Sequence, residues 1–155
     1  MSKSETFLRY ALLSALSFSP LGAEIAQGLL TSVESNTAMR LLYRNVPFAC
    51  EPFGIIPLEK MATSAPDPQA CRERIGAWHA SHPRERHFAS ERLRLQQTYR
   101  FERIADGCVL YGNGPESYSE MLLGRGLAVI DPAFDNKEWN AKLQRAQKGA
   151  QRNKR

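Results

Sequence analysis

The stretch from Leu110 to Ala150, LYGNGPESYSEMLLGRGLAVIDPAFDNKEWNAKLQRAQKGA, constrains the fold most tightly. A buried-type strand, Gly107-Cys108-Val109-Leu110-Tyr111, runs into Gly112-Asn113-Gly114, whose glycines mark a turn. A polar-started helix follows over Glu116 to Leu123, and Gly124-Arg125-Gly126 closes it. Leu127 to Ile130 is a second apolar strand. From Asp135 onward Trp139, Leu143, Ala146 and Ala150 recur at steps of four, three and four, which marks one packing face of a helix. Strands and helices therefore share one small unit, and 155 residues suffice for one compact domain with a real core.

Upstream, Ile25 to Val33 has the apolar, β-branched content of a strand. Asn36-Thr37 marks a turn, after which Met39, Leu41 and Tyr43 alternate with Arg40, Leu42 and Arg44. Asn45-Val46-Pro47 reads as a hairpin tip and Phe48 to Ile56 as the returning strand. Pro52 and Pro57 lack the donor a central ladder needs, which places a bulge or an edge near Pro52. Met61 to Pro68 reads as a loop. Asp67-Pro68 then opens a helix with Cys71, Ile75 and Trp78 as its buried stripe. His79 to Arg86 reads as a polar loop, Arg92 to Gln96 as a half-exposed strand, and Tyr99 to Asp106 as a connection. The order is strand, hairpin, helix, two strands and two helices. It predicts an α+β domain built on a five-stranded Greek-key barrel of the OB type, with about three packed helices.

The net charge of +5 is concentrated at one end. Lys142, Arg145, Lys148, Arg152, Lys154 and Arg155 follow one another without an intervening acid, and the remainder is close to neutral. Such an end suits phosphates or anionic lipid, or is a solvated helix terminus. At the other end, Lys3 and Arg9 flank a short polar start, Tyr10 to Phe18 is an apolar run, and Leu21-Gly22-Ala23 offers a small-residue cleavage site. Residues 1–23 therefore read as a signal peptide, too short to anchor in a bilayer; the alternative is an amphipathic helix packed on the domain. The organisation is then signal peptide 1–23, domain 24–150 and basic tail 151–155, in a periplasmic or extracellular protein.

Three cysteines allow one disulfide and one thiol, or three free thiols. If a bond forms, Cys50 with Cys71 is the expected pair, joining the third strand to the first helix. No pair has the spacing of a zinc or thioredoxin-type motif. His79, His82 and His87 crowd one loop without defining a site, and Ser117 and Ser119 have no specified His-Asp partners for a hydrolase triad.

The order and lengths from Leu110 to Ala150, with a Gly just after the first helix, resemble the C-terminal half of the thermonuclease (staphylococcal nuclease-like) family. The resemblance implies a barrel with packed helices and calcium-dependent phosphodiester cleavage, in which carboxylates hold calcium, two arginines clamp phosphate and a Glu activates water. Laid over that pattern with Pro47 as anchor, Asn36 stands at the first metal carboxylate with Thr37 beside it as in the family. Glu51 falls at the first phosphate-binding Arg and Ile56 at the second carboxylate. Glu59 is in register with the family's Glu, and in the later loop, counting back from Cys108, Asp106 stands at the second Arg, with Arg100 and Arg103 a small register shift away.

A carboxylate in place of a clamping Arg repels phosphate, so the resemblance implies an exported pseudoenzyme. Its expected role is a binding or scaffold module in the cell envelope, with a protein partner, no metal site and no cofactor. Two alternatives stand beside it. One is a divergent nuclease on DNA or RNA, with calcium as cofactor, Glu59 as base and Arg100 or Arg103 as clamp. The other is a non-catalytic nucleic-acid binder, with Tyr99 and Phe101 stacking on bases and Lys142, Arg145 and Lys148 of the basic C-terminal helix on phosphates.

Overall fold

A computed structural model describes residues 24–104 and 107–152; the segment read as a signal peptide, together with Asp106 and the last three residues, lies outside them. The elements run β1 (Ala26–Ser35), β2 (Ala38–Tyr43), β3 (Val46–Cys50), β4 (Ile55–Pro57), α1 (Leu58–Ser64), α2 (Pro68–Ser81), α3 (Pro83–Arg86), α4 (Phe88–Arg92), β5 (Thr98–Ile104), β6 (Gly107–Leu110), α5 (Tyr118–Gly124), β7 (Ala128–Ile130) and α6 (Lys137–Arg152). The domain is mixed α+β, as the sequence implies. A curled antiparallel sheet has the order β3-β2-β1-β5-β6, and β4 pairs with β7 in a separate two-stranded ladder.

β1 is the central strand, pairing with β2 on one side and β5 on the other, and two register shifts against β2 help to curl it. The β2–β3 hairpin turns on Arg44 and Asn45, both at positive φ, which matches the right-handed twist of the flanking strands. The strand expected over Phe48 to Ile56 is broken in two. Gly54, at φ +72°, occupies a conformation that a side chain would strain, and it divides β3 from β4. Pro52, in the break, bridges to Cys108 in parallel, and the Cys108 amide donates to the Glu51 carbonyl. Cys50 and Cys108 are joined by a disulfide, so the two edge strands of the sheet meet there. Gly107 allows that approach: a Cβ on it would lie 2.7 Å from the Cβ of Phe53.

This bond corrects the expected Cys50–Cys71 pair. Cys71 is a free, half-buried thiol on α2. Pairing β3 to the first long helix overlooked that a curling sheet brings its own edges together, which the spacing of cysteines alone does not reveal.

The inner face of the sheet and the helices share one core. Leu30, Met39, Leu41, Tyr99, Phe101 and Leu110 meet Tyr118, Leu122 and Leu123 of α5 and Leu143 of α6. A smaller cluster on the outer face of β6 packs Val109 against Phe53 and Trp139, with the Phe53 and Trp139 rings edge to face at 4.9 Å. Trp139 and Leu143 thus anchor α6 as its periodicity predicts.

Among the described residues there are six helices rather than about three. The difference lies in Leu58 to Arg92: α1 runs into the segment read as a loop from Met61, α3 falls within the loop read over His79 to Arg86, and α4 covers the stretch between that loop and the expected strand. Asp67 caps α2 as expected, its carboxylate accepting from the Ala70 amide. Cys71, Ile75 and Trp78 are only half-buried, because α2 lies at the surface against α1. The alternation at Arg92 to Gln96 is not a strand: Leu93 ends α4 and turns into the core, while Leu95 is exposed. The strand is the next segment, β5.

Candidate functional site

Asn36, which stands where the resemblance puts a metal carboxylate, is a structural hub. It sits in the turn between β1 and β2. Its Nδ2 donates to the carbonyls of Glu85 (2.8 Å) and Arg86 (3.3 Å), and its Oδ1 accepts from the Ala89 amide (2.9 Å). Its own carbonyl accepts from the Tyr118 hydroxyl at 2.8 Å. One side chain therefore fastens the hairpin to the α3–α4 corner, and its backbone fastens the same turn to α5. An aspartate would not donate to two carbonyls; only an amide serves here.

The other expected positions are likewise occupied with local partners. Glu51 is exposed and lies 3.4 Å from Lys60. Ile56 is part of β4, paired with Val129. Glu59, in the first turn of α1, stands 3.5 Å from His79 Nε2. These residues do not fit a calcium ion. Asn36 Oδ1 accepts a backbone proton, Ile56 has no oxygen to offer, and among the described residues no group of three or more His, Cys, Asp or Glu gathers to hold a metal.

Arg100 and Arg103 lie on β5, but their side chains go to different places. Arg100 donates to the Gly114 carbonyl at 2.9 Å and lies over the Tyr111 ring. Arg103 stacks over Phe48, 4.2 Å from its centroid. They share no partner and form no clamp with Glu59. Tyr99 and Phe101 are 3% and 2% exposed, so their rings belong to the core and offer no face to a base. The alternation on β5 places them inward, the alternative to stacking on bases. Ser119 Oγ is also committed, donating to the Phe53 carbonyl, and Ser117 caps α5 in a reciprocal box with Glu120.

What the fold brings together instead is a groove of about 980 Å³ between α5 and α6, bounded by α4 and by the segment after β6. Arg92, Arg125, Lys142 and Arg145 line it; Lys148, on the same helix, does not. Part of its lining is bare: exposed Gly124 and Gly149 open onto space, where an added Cβ would meet nothing within 4 Å, and half-buried Ala146 lines it with them. Three of the cations sit over aromatic rings. Lys142 Nζ is 4.1 Å above Trp139, and Arg92 and Arg125 are 5.5 and 6.0 Å from the Phe88 centroid. Arg125 and Lys142 each have an acid at 3.8 Å, Glu85 and Glu138, whereas Arg92 and Arg145 have none within 4 Å among the described residues. Lys142 and Arg145 are legible as a basic helix face. Arg92 and Arg125, remote in sequence, join them only because α4, α5 and α6 converge.

Two tyrosines near this region make stability depend on alkaline pH. Burial, and then the Glu102 carboxylate, push the Tyr111 phenol up to about 12, and burial pushes Tyr118 up as well. Below the ordinary value of 10.0 both folded and unfolded chains keep these protons. Above it the unfolded chain ionises first, so stability falls as pH rises. Each phenol contributes a slope of up to about 1.4 kcal/mol per pH unit; half-buried Tyr111, with the smaller shift, does so over a narrower span than buried Tyr118. The check is the urea midpoint measured across that range, where a midpoint that stayed level would contradict the burial of Tyr118.

No protein-family model matches this chain, and no curated protein matches it.

Proposed function

We propose that this chain is a non-catalytic binding module of thermonuclease-like architecture, an exported OB-type barrel that engages a protein partner in the cell envelope. The observation that carries the reading is the engagement of Asn36. The residue at the expected metal position is fully used in holding three backbone segments together, so the loss of a carboxylate there has been built into the fold. The separation of Arg100 from Arg103 supports the same reading, because phosphodiester cleavage needs cations that converge on one phosphate.

The barrel reading is supported by the meeting of β3 and β6, where a parallel bridge and a disulfide join the sheet's two edges. Export is supported by that same disulfide, since such bonds persist in oxidising compartments, and by the apolar run that begins at Tyr10.

The test is a plasmid-degradation assay with and without calcium, run on the full chain and on Glu59→Gln. The expected outcome is no calcium-dependent cleavage by either. Robust cleavage that disappears in Glu59→Gln would replace this reading with that of a working nuclease.

A further inference from the structure

We infer that the groove between α5 and α6 is the docking site of this module, and that its occupant is an acidic segment of a partner protein. This assignment rests on the binding-module reading and adds to it a place and a ligand chemistry.

Charge complementarity sets the sign of the occupant. Four cations surround the groove, and three of them are arginines, whose planar forks pair with carboxylates through two parallel hydrogen bonds. Arg92 and Arg145 have no acid within 4 Å among the described residues. Among the described residues they are the groove's cations without an acidic partner; Arg145 Nε makes only a long bond, 3.5 Å, to the Ala141 carbonyl. Its volume of about 980 Å³ lies at the upper end of small-molecule sites and leaves room for a peptide segment.

Two observations favour a polypeptide over a nucleic acid. First, the rings that line the groove offer little stacking surface: Trp139 is 6% exposed beneath Lys142, Phe88 is 4% exposed beside Arg92 and Arg125, and the half-buried Tyr111 ring already carries Arg100 over it. Binding of single strands relies on such stacking. Second, Glu116 and Glu120 interrupt the cations along the same groove. A nucleic-acid strand carries a charge at every phosphate and would meet these acids wherever it ran. A polypeptide can set carboxylates against Arg92 and Arg145 and small apolar side chains against Gly124, Ala146 and Gly149.

An open glycine supplies the decisive variant. Gly149 lines the groove within α6, and a Cβ added there meets nothing within 4 Å, so Gly149→Leu adds bulk to the lining from an unobstructed start and replaces glycine with a better helix former. Its thermal midpoint should equal or exceed that of the parent, which shows that the fold is intact.

The experiment measures fluorescence anisotropy of a fluorescein-labelled peptide of alternating Glu and Ala, titrated with the full chain, beside an alternating Lys-Ala peptide and a labelled oligothymidylate. Expected are binding of the Glu-Ala peptide, none of the Lys-Ala peptide, and at least tenfold weaker Glu-Ala binding in Gly149→Leu and in the double variant Arg92→Glu/Arg145→Glu. Three results would overturn the assignment. They are no binding of the Glu-Ala peptide, binding that neither variant alters, and tighter binding of oligothymidylate that displaces the peptide. Each leaves the plasmid-degradation result untouched. Conversely, calcium-dependent cleavage with an unaltered groove response would sink the parent reading alone.

Discussion

Replacing Cys50 and Cys108 together by serine should destabilise the domain by about 4 kcal/mol and lower its thermal midpoint by on the order of 15 °C. The bond closes a loop of 58 residues in sequence, a long constraint on the unfolded chain. Both cysteines are buried, at 0% and 3% exposure, so the variant also leaves two hydroxyls in the core where the sheet edges meet. Circular dichroism melts without reductant give the shift directly. Thiol titration of the denatured, unreduced parent should find one reactive group, Cys71, of the three cysteines. Three reactive thiols, or a midpoint that barely moves, would mean that the edges do not depend on this bond.

Asn36→Asp should cost about 2–4 kcal/mol, although the substitution changes a single atom type. The carboxylate keeps the bond from Ala89 but loses two donors, and it places negative charge against the carbonyls of Glu85 and Arg86. Asn36→Ala should lie in the same range, since the Glu85 and Arg86 carbonyls and the Ala89 amide of the α3–α4 corner all lose their bonds to the turn. Urea unfolding measures both. The comparison with calcium gives the result its meaning. If Asn36→Asp restored an ancestral metal site, calcium would raise its midpoint; the expected outcome is that calcium leaves the variant as unstable as before. A stable Asn36→Asp chain would remove the main support for regarding this position as structural.

The parts of the fold that were legible in the sequence are those that local periodicity controls. The spacing of Trp139, Leu143 and Ala150 fixed the buried face of α6, and Asp67-Pro68 announced the start of α2. Ser117 and Glu120 had the spacing of a capping box, a signal that was present and passed over. Leu93 and Leu95 mimicked a strand because two residues of alternation look alike whether they end a helix or start a sheet. Tyr99 and Phe101 show the reverse case: the segment reads as a connection, yet it is a strand whose period of two carries both rings inward.

The candidate sites were legible mainly as losses. That Asn36 is not a carboxylate can be read from one letter. That its amide ties residues 36, 85, 86 and 89 together depends on contacts some fifty positions apart, which no local pattern encodes. The groove is similar. Lys142 and Arg145 mark half of it on one helix, while Arg92 and Arg125 come from elements that meet only in the folded chain.

The joining of β3 to β6 also limits how this protein can be recognised. Proteins with a free sheet margin often accept a guest as an additional strand, hydrogen-bonded main chain to main chain. Here Pro47 and Pro52 remove donors from the β3 side, and Phe53 with Pro52 covers the β6 side. Neither margin of the five-stranded sheet is a good template for extension by another polypeptide, which lowers the hazard of edge-to-edge aggregation.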